Sequence, residues 1–296
     1  MMKKSLSLAV GLGMMLATAG TGLAFPSQWD VGVAGAPASG DLNTRTGIFD
    51  QFGFVSQTTT IQYDTDGISG LSVGDKFQDS GNMRVNDLIA GGIVDKEGLN
   101  VSYELTGIWN NVGGHITSIT SNASTTQLGL RYTSGTLDFY LDPSLDSSFA
   151  NLAGSTPPAG AGGSGFGNGI KVFSLSLIDG IGNTFFDAPG STINNQGSVD
   201  LLLQVTYLLP GFWLNAAGTP VEDIAPVSWH FITTDMNIDT PTQVPGVPAG
   251  ALYTAYSNQN GSAMMTVVPE PSTMILLGGG LAGLALLGRK RSRSKA

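Results

Sequence analysis

The chain has no cysteine anywhere in its 296 residues. That absence excludes disulfide bridges, thiol nucleophiles and thiolate metal sites, and leaves stability to burial and hydrogen bonding. Histidine is nearly as scarce. His115 follows Gly113-Gly114 and is expected in a loop, while His230 sits between Trp229 and Phe231 and is expected on the outer face of a strand. Two isolated imidazoles, neither in a His-Glu-x-x-His setting, do not make a zinc or proton-transfer site. Charged residues are only 12% of the chain, and between residues 25 and 268 the glutamates are Glu97, Glu104 and Glu222 alone. There is no Gly-x-Ser-x-Gly elbow. Gly160-x-Gly162-x-x-Gly165 has the dinucleotide-binding spacing but lacks the strand before it and the helix after it that give that spacing meaning. No solenoid-length repeat occurs, and helical periodicity is absent from the body apart from a short turn expected at 86–90.

Glycine is abundant instead: 42 residues of 296, about twice the usual share of roughly 7%. Together with frequent Ser, Thr and Asn, this describes turn-rich β structure. Leu99, Val101, Tyr103 and Leu105 alternate with polar residues, as one face of a strand does. Leu128, Leu130 and Tyr132, then Leu137, Phe139 and Leu141, flank Thr133-Ser134-Gly135-Thr136, a pattern that predicts a β-hairpin. Phe173, Leu175 and Leu177 mark another strand, 199–209 a long central one buried from both sides, and Val227, Trp229 and Phe231 a further one. Residues 264–268 read as an edge strand or as a stalk. The expected fold is all-β, an antiparallel β-sandwich with Greek-key-like links, one domain over residues 25–267. Residues 144–169, rich in Gly with two prolines, predict a long mobile loop between two strands.

Both ends differ from this body. Lys3 and Lys4 precede an apolar stretch from Leu6 to Leu16, and Gly22-Leu23-Ala24 follows. Residues 1–24 thus read as a secretory signal peptide, helical, and cleaved by signal peptidase after Ala24. With the two ends set aside, six basic against twenty-one acidic residues leave the body at about −15. Such a charge repels nucleic acid and anionic lipid, and leaves cations and neutral polysaccharide as partners.

At the other end, Pro269, Glu270 and Pro271 hold an extended, protease-accessible peptide. An apolar span at 273–288, read as a single transmembrane helix, and a basic stop of Arg289, Lys290, Arg291 and Arg293 on the cytoplasmic side come next. As a helix the span would rise about 24 Å against a hydrocarbon core of about 30 Å, short for a permanent anchor, which is the alternative reading. This three-part tail resembles the PEP-CTERM sorting signal of Gram-negative bacteria that secrete exopolysaccharide. The resemblance implies recognition by exosortase, a membrane-embedded cysteine transpeptidase-like enzyme, removal of the tail, and release or surface attachment of the body. The Cys-free acidic β body, with Leu137-Asp138-Phe139-Tyr140-Leu141-Asp142-Pro143 at the expected hairpin, resembles the flocculation-associated PEP-CTERM proteins. That implies a structural or adhesive role within exopolysaccharide, in biofilm or floc formation.

The remaining chemistry is carried by acids. Asp64-x-Asp66-Gly67 at the end of a strand, and Asp138, Asp142 and Asp146 around Pro143, are candidate Ca²⁺ ligands, oxygen donors at turn positions. The competing reading is that turn aspartates bond their own backbone. No motif implies an organic cofactor or names a catalytic residue, so the protein reads as noncatalytic. The alternative is a secreted carbohydrate-binding or glycosidase-like protein, which in the second case needs two carboxylates about 5–10 Å apart across a cleft.

Overall fold

The computed structural model describes residues 25–36, 44–67, 70–122, 125–149, 163–187, 196–221, 227–238 and 251–267. The strands are β1 (Ser27–Trp29), β2 (Gln51–Tyr63), β3 (Lys76–Ala90), β4 (Ile93–Asp95), β5 (Glu104–Ser121), β6 (Thr125–Asp142), β7 (Ser148–Phe149), β8 (Gly163–Ser164), β9 (Ile170–Asp187), β10 (Gln196–Leu208), β11 (Trp213–Asn215), β12 (Val227–Ile238) and β13 (Ala251–Val267). The helical piece among the described residues is one 3₁₀ turn, Val31–Ala34, capped by Asp30 and Gly35.

The fold is a closed barrel, and this corrects the expected sandwich. The long strands β2, β3, β5, β6, β9, β10, β12 and β13 each pair antiparallel with the next, and β13 pairs back onto β2. Neighbours in the wall are neighbours in sequence, an up-and-down meander without the Greek-key crossing. A sandwich and a barrel impose the same in–out alternation on each strand, so alternation alone could not separate them. No helix among the described residues is long and apolar enough to cross a membrane. The expected signal peptide at 1–24, with Ala24, and the tail from 268 on, including the span at 273–288, lie outside the described residues.

Five local readings change with the fold. The hairpin expected around Ser134-Gly135 is instead one continuous strand, β6, whose inward residues switch from even (Leu128, Tyr132) to odd (Leu137, Phe139, Leu141). The partner β5 switches phase too, Trp109 and Val112 both being buried where its register shifts between Asn110 and Gly113. A paired bulge, not a turn, accounts for the break in alternation. Leu99 and Tyr103 are buried but lie in the turn before β5, with Asn100 at φ 59° and Val101 exposed. Residues 86–90 end β3 instead of forming a helical turn, and residues 264–267 are the end of the long wall strand β13 instead of a separate edge strand or stalk, Met264 paired on both sides and 265–267 with β12 alone. The strand expected at 199–209 forms as β10, but Tyr207 is exposed and only its inward side is covered.

Inside, the barrel is filled with aromatic side chains. Phe52, Phe139, Phe173, Trp229 and Phe231 form a buried stack, Phe139 lying parallel to Phe173 at 4.2 Å. One end is plugged: β1 pairs with β11, and Trp29 and Trp213 descend onto Phe49, Phe173 and Trp229. Space for such rings comes from glycine on facing strands. A Cβ at Gly81 would lie 2.1 Å from the Trp109 ring, so only glycine permits that ring to lie flat against β3. The outer wall carries the ion pairs Arg131–Asp179, Lys171–Asp138 and His230–Asp200 beside exposed apolar residues of β9 such as Ile178, Ile181 and Phe185. Ion pairs on the outer face interrupt the continuous apolar band that a transmembrane barrel carries there.

Candidate metal centres, the interior and the sorting motif

Of the sequence-predicted acids, Asp64 and Asp66 do come together, joined by a third that spacing did not reveal. Asp75, just before β3 and fully buried, offers an oxygen within 4.8 Å of both. Each carboxylate is already used by the turn. Asp75 accepts from Thr65 N–H at 3.1 Å and Ser72 N–H at 2.8 Å, Asp64 from the N–H groups of Asp66 and Gly67, and Asp66 from the Ser72 hydroxyl. This is the turn chemistry of short acidic side chains, and the cluster staples the β2–β3 connection.

Asp138 and Asp142 are separated by the structure. Asp138 pairs with Lys171 at 2.8 Å on the open wall. Asp142 lies directly across the β5–β6 ladder from Glu104, and both are buried on the outer side of the wall beneath the β6–β9 connection. Asp146 from that connection completes a set whose oxygens lie within 4.8 Å of one another. Glu104 was overlooked because it belongs to a different strand. The Gly/Pro-rich connection is described only at its two ends, which pair as β7 and β8; residues 150–162 lie outside the described residues. Those ends are fixed on the wall: Thr106 donates to the Phe166 carbonyl at 2.7 Å, Phe149 packs on Phe166, and Arg84 lies over the Phe149 ring.

Among the described residues, the interior holds an ionisable group that sequence reading missed. Asp79 faces inward in β3, in phase with Phe77, Met83 and Val85, and that polar residue in an apolar phase was the available signal. Thr60 donates to it at 2.6 Å and the Tyr132 hydroxyl at 3.0 Å. Burial outweighs these bonds and pushes the Asp79 carboxyl up to about 6; burial, then the Asp79 charge, holds the Tyr132 phenol well above its usual range. Beside the pair is a cavity of about 50 Å³ lined by Ser56, Thr58, Trp109, Val112 and Gln259 among others. That is room for water, far below the roughly 300 Å³ at which small-molecule sites begin. No second carboxylate lines it, so the paired acids of a glycosidase are not assembled there.

Outside, where β2, β3, β5 and β6 meet near the unplugged end, lies an open groove of about 470 Å³. Its walls are Tyr63, Lys76, Gln78, Asn111, His115 and Ser134 over a floor of glycine backbone. His115 belongs to β5 and not to the expected loop; His230 does face outward, 3.3 Å from Asp200. Tyr63 donates to Gln78, which in turn bonds Asn111, a chain of neutral donors and acceptors beside Lys76.

The last strand leads straight to the tail. Residues 267–291 match the PEP-CTERM protein-sorting motif. The chain carries a PEP-CTERM sorting signal. Such a motif marks an exported protein targeted to exosortase and sorted to the cell surface in Gram-negative bacteria. The PEP-CTERM match starts at Val267, the final residue of β13; Pro269, Glu270, Pro271 and Arg289, Lys290, Arg291 and Arg293 lie within or just beyond it, outside the described residues. No curated protein matches the chain. Among solved structures, Ail, the attachment invasion locus protein of Yersinia pestis, aligns over 73% of this chain and 98% of its own at 8% identity with a TM-score of 0.14, which carries no argument.

Proposed function

We propose that the protein is a noncatalytic surface or matrix component, tethered or released by exosortase at its PEP-CTERM tail, that holds neutral exopolysaccharide on the outer wall of its barrel and so contributes to biofilm or floc cohesion. The observation that carries this reading is the polar groove of about 470 Å³ between Tyr63 and Ser134. Its amides, hydroxyls and imidazole suit sugar hydroxyls, and its open shape suits a chain that passes through. The filled interior supports a binding role over a catalytic one, because no described cavity takes a sugar beside paired carboxylates. Weak contacts of this kind gain strength by repetition along a polymer.

Signal peptidase cleavage after Ala24 fits this scheme. Phe25 N–H already bonds the Met265 carbonyl at 2.8 Å, so the new terminus would sit beside the last strand at the plugged end. From Val267 to Pro269 is two residues, a reach of about 7 Å. A body held through that tether presents its plugged end to the attachment surface and its groove away from it.

The test is co-sedimentation of the protein with the exopolysaccharide of its own host, with reducing ends assayed in the same tubes. Binding that Gln78→Ala and Tyr63→Ala weaken about tenfold or more, with no new reducing ends, is the expected result. New reducing ends, or binding indifferent to both substitutions, contradicts the reading.

A further inference from the structure

The cluster of Glu104, Asp142 and Asp146 contains a group that the protein itself leaves unmatched. Glu104 and Asp142 are 2% and 3% exposed. Glu104 accepts from the N–H and hydroxyl of Ser147. Asp142 Oδ1 accepts from Ser144 N–H at 2.7 Å, but its Oδ2 is buried with no hydrogen-bond partner at all. Asp146 takes the Asn168 amide on both oxygens, at 3.1 and 3.0 Å. Among the described residues no ion pair reaches any of the three. Arg84, on the adjoining strand, donates instead to the Ser147 carbonyl at 3.5 Å. Two buried carboxylates and a third nearby, with one oxygen unpartnered, are costly unless a cation joins them.

We propose that Glu104, Asp142 and Asp146 form a Ca²⁺ site that clasps residues 143–149 onto the barrel wall. The donors are all hard oxygens, which selects against zinc and copper. Ca²⁺ takes oxygens at about 2.3–2.6 Å, so ligands on opposite sides of the ion stand about 5 Å apart. Oxygens within 4.8 Å of one another fall inside that span, and Mg²⁺, which usually keeps several waters, is less suited to a set of protein carboxylates. The backbone is arranged to hold Asp146 there: Leu145 takes φ 53°, and a Cβ at Gly165 would fall 2.3 Å from Asp146 Oδ1. The turn cluster at Asp64, Asp66 and Asp75 lacks this signature, because none of its oxygens is a buried orphan.

The test is thermal unfolding of the protein purified from its host, stripped with EGTA and then given CaCl₂. At 10 mM CaCl₂ an extracellular-type site, with Kd near 10⁻⁴–10⁻³ M, should raise Tm by roughly 3 to 10 °C. Asp142→Asn should abolish the rise and also increase Tm in EGTA, since it removes an unmatched buried charge. Asp146→Asn, at an exposed position that does not threaten folding, should raise the half-saturating Ca²⁺ concentration about tenfold. Asp64→Asn should leave the response intact. No Ca²⁺-dependent rise in the unsubstituted protein overturns the proposal, and so does a rise that survives Asp142→Asn, one whose half-saturation Asp146→Asn leaves unchanged, or one that vanishes in Asp64→Asn.

Discussion

Trp213→Ala is expected to destabilise the protein by about 3–5 kcal/mol, the range for deleting a large buried aromatic side chain. For a domain of this size that lowers Tm by roughly 6 to 20 °C. The loss is large because the indole touches rings from three strands and from the segment before β2: Trp29 of β1, Phe173 of β9, Trp229 of β12 and Phe49, at centroid distances from 4.8 to 6.1 Å. It is the contact through which the short β1–β11 pair closes the end of the barrel. Trp213→Phe supplies the control. The Trp213 indole N–H is buried and unpartnered, a feature that costs about 1–3 kcal/mol where it occurs. Phenylalanine removes that donor while keeping an aromatic ring, so its loss should be well under half that of alanine. Urea unfolding followed by tryptophan-independent circular dichroism reads both. Equal losses for the two variants would mean that the plug is not packed as described.

Asp79→Asn is expected to change the slope of stability against pH. The ordinary carboxyl value is 3.8 and burial raises Asp79 to about 6. Below about pH 4 the group is protonated in folded and unfolded chains alike, and its contribution is fully present. As pH rises towards 6 the unfolded chain ionises while the folded chain keeps its proton, so stability falls. Above about 6 the loss is complete, on the order of 3 kcal/mol. Asparagine has no such term and still offers one oxygen to Thr60 or Tyr132. The difference in unfolding free energy between variant and parent should therefore favour the variant by about 3 kcal/mol more at pH 7 than at pH 4. Taking the difference cancels the other carboxylates, which titrate in both proteins. Parallel pH profiles would mean that Asp79 ionises inside the barrel without penalty.

The sequence exposed the β character of the body but not its closure. Inward positions such as Phe173, Leu175, Trp229 and Phe231 alternate as expected and are buried. Closure depends on β2 bonding β13 some 200 residues away, for which a single sequence holds no local sign. The break in alternation between Tyr132 and Leu137 was visible; a turn and a bulge both shift phase there, and only pairing along all of β5 and β6 decides for the bulge. The acids divide in the same way. Asp64 and Asp66 are two residues apart and were legible together, whereas Glu104 meets Asp142 only through strand register. Asp79 and Tyr132 meet across the lumen for a similar reason. The tail was the most legible part, because proline, apolar span and basic stop act through composition in sequence order and need no fold to bring them together.

The arrangement at the end of β13 makes a narrow statement about processing. Ala263 and Met265 are buried in the wall; β13 is paired with β2 as far as Met264 and with β12 as far as Val267, and the Met265 carbonyl accepts from Phe25 N–H. Cleavage before Val267 would cut into the barrel, so the sorting enzyme has only the few residues around Pro269, Glu270 and Pro271 to act on. Mass spectrometry of the carboxyl-terminal peptide of the protein isolated from its native host tests this directly. A terminus within residues 268–272, free or bearing an added group, is the predicted result. A chain intact through Ala296, or one ending inside β13, contradicts the account.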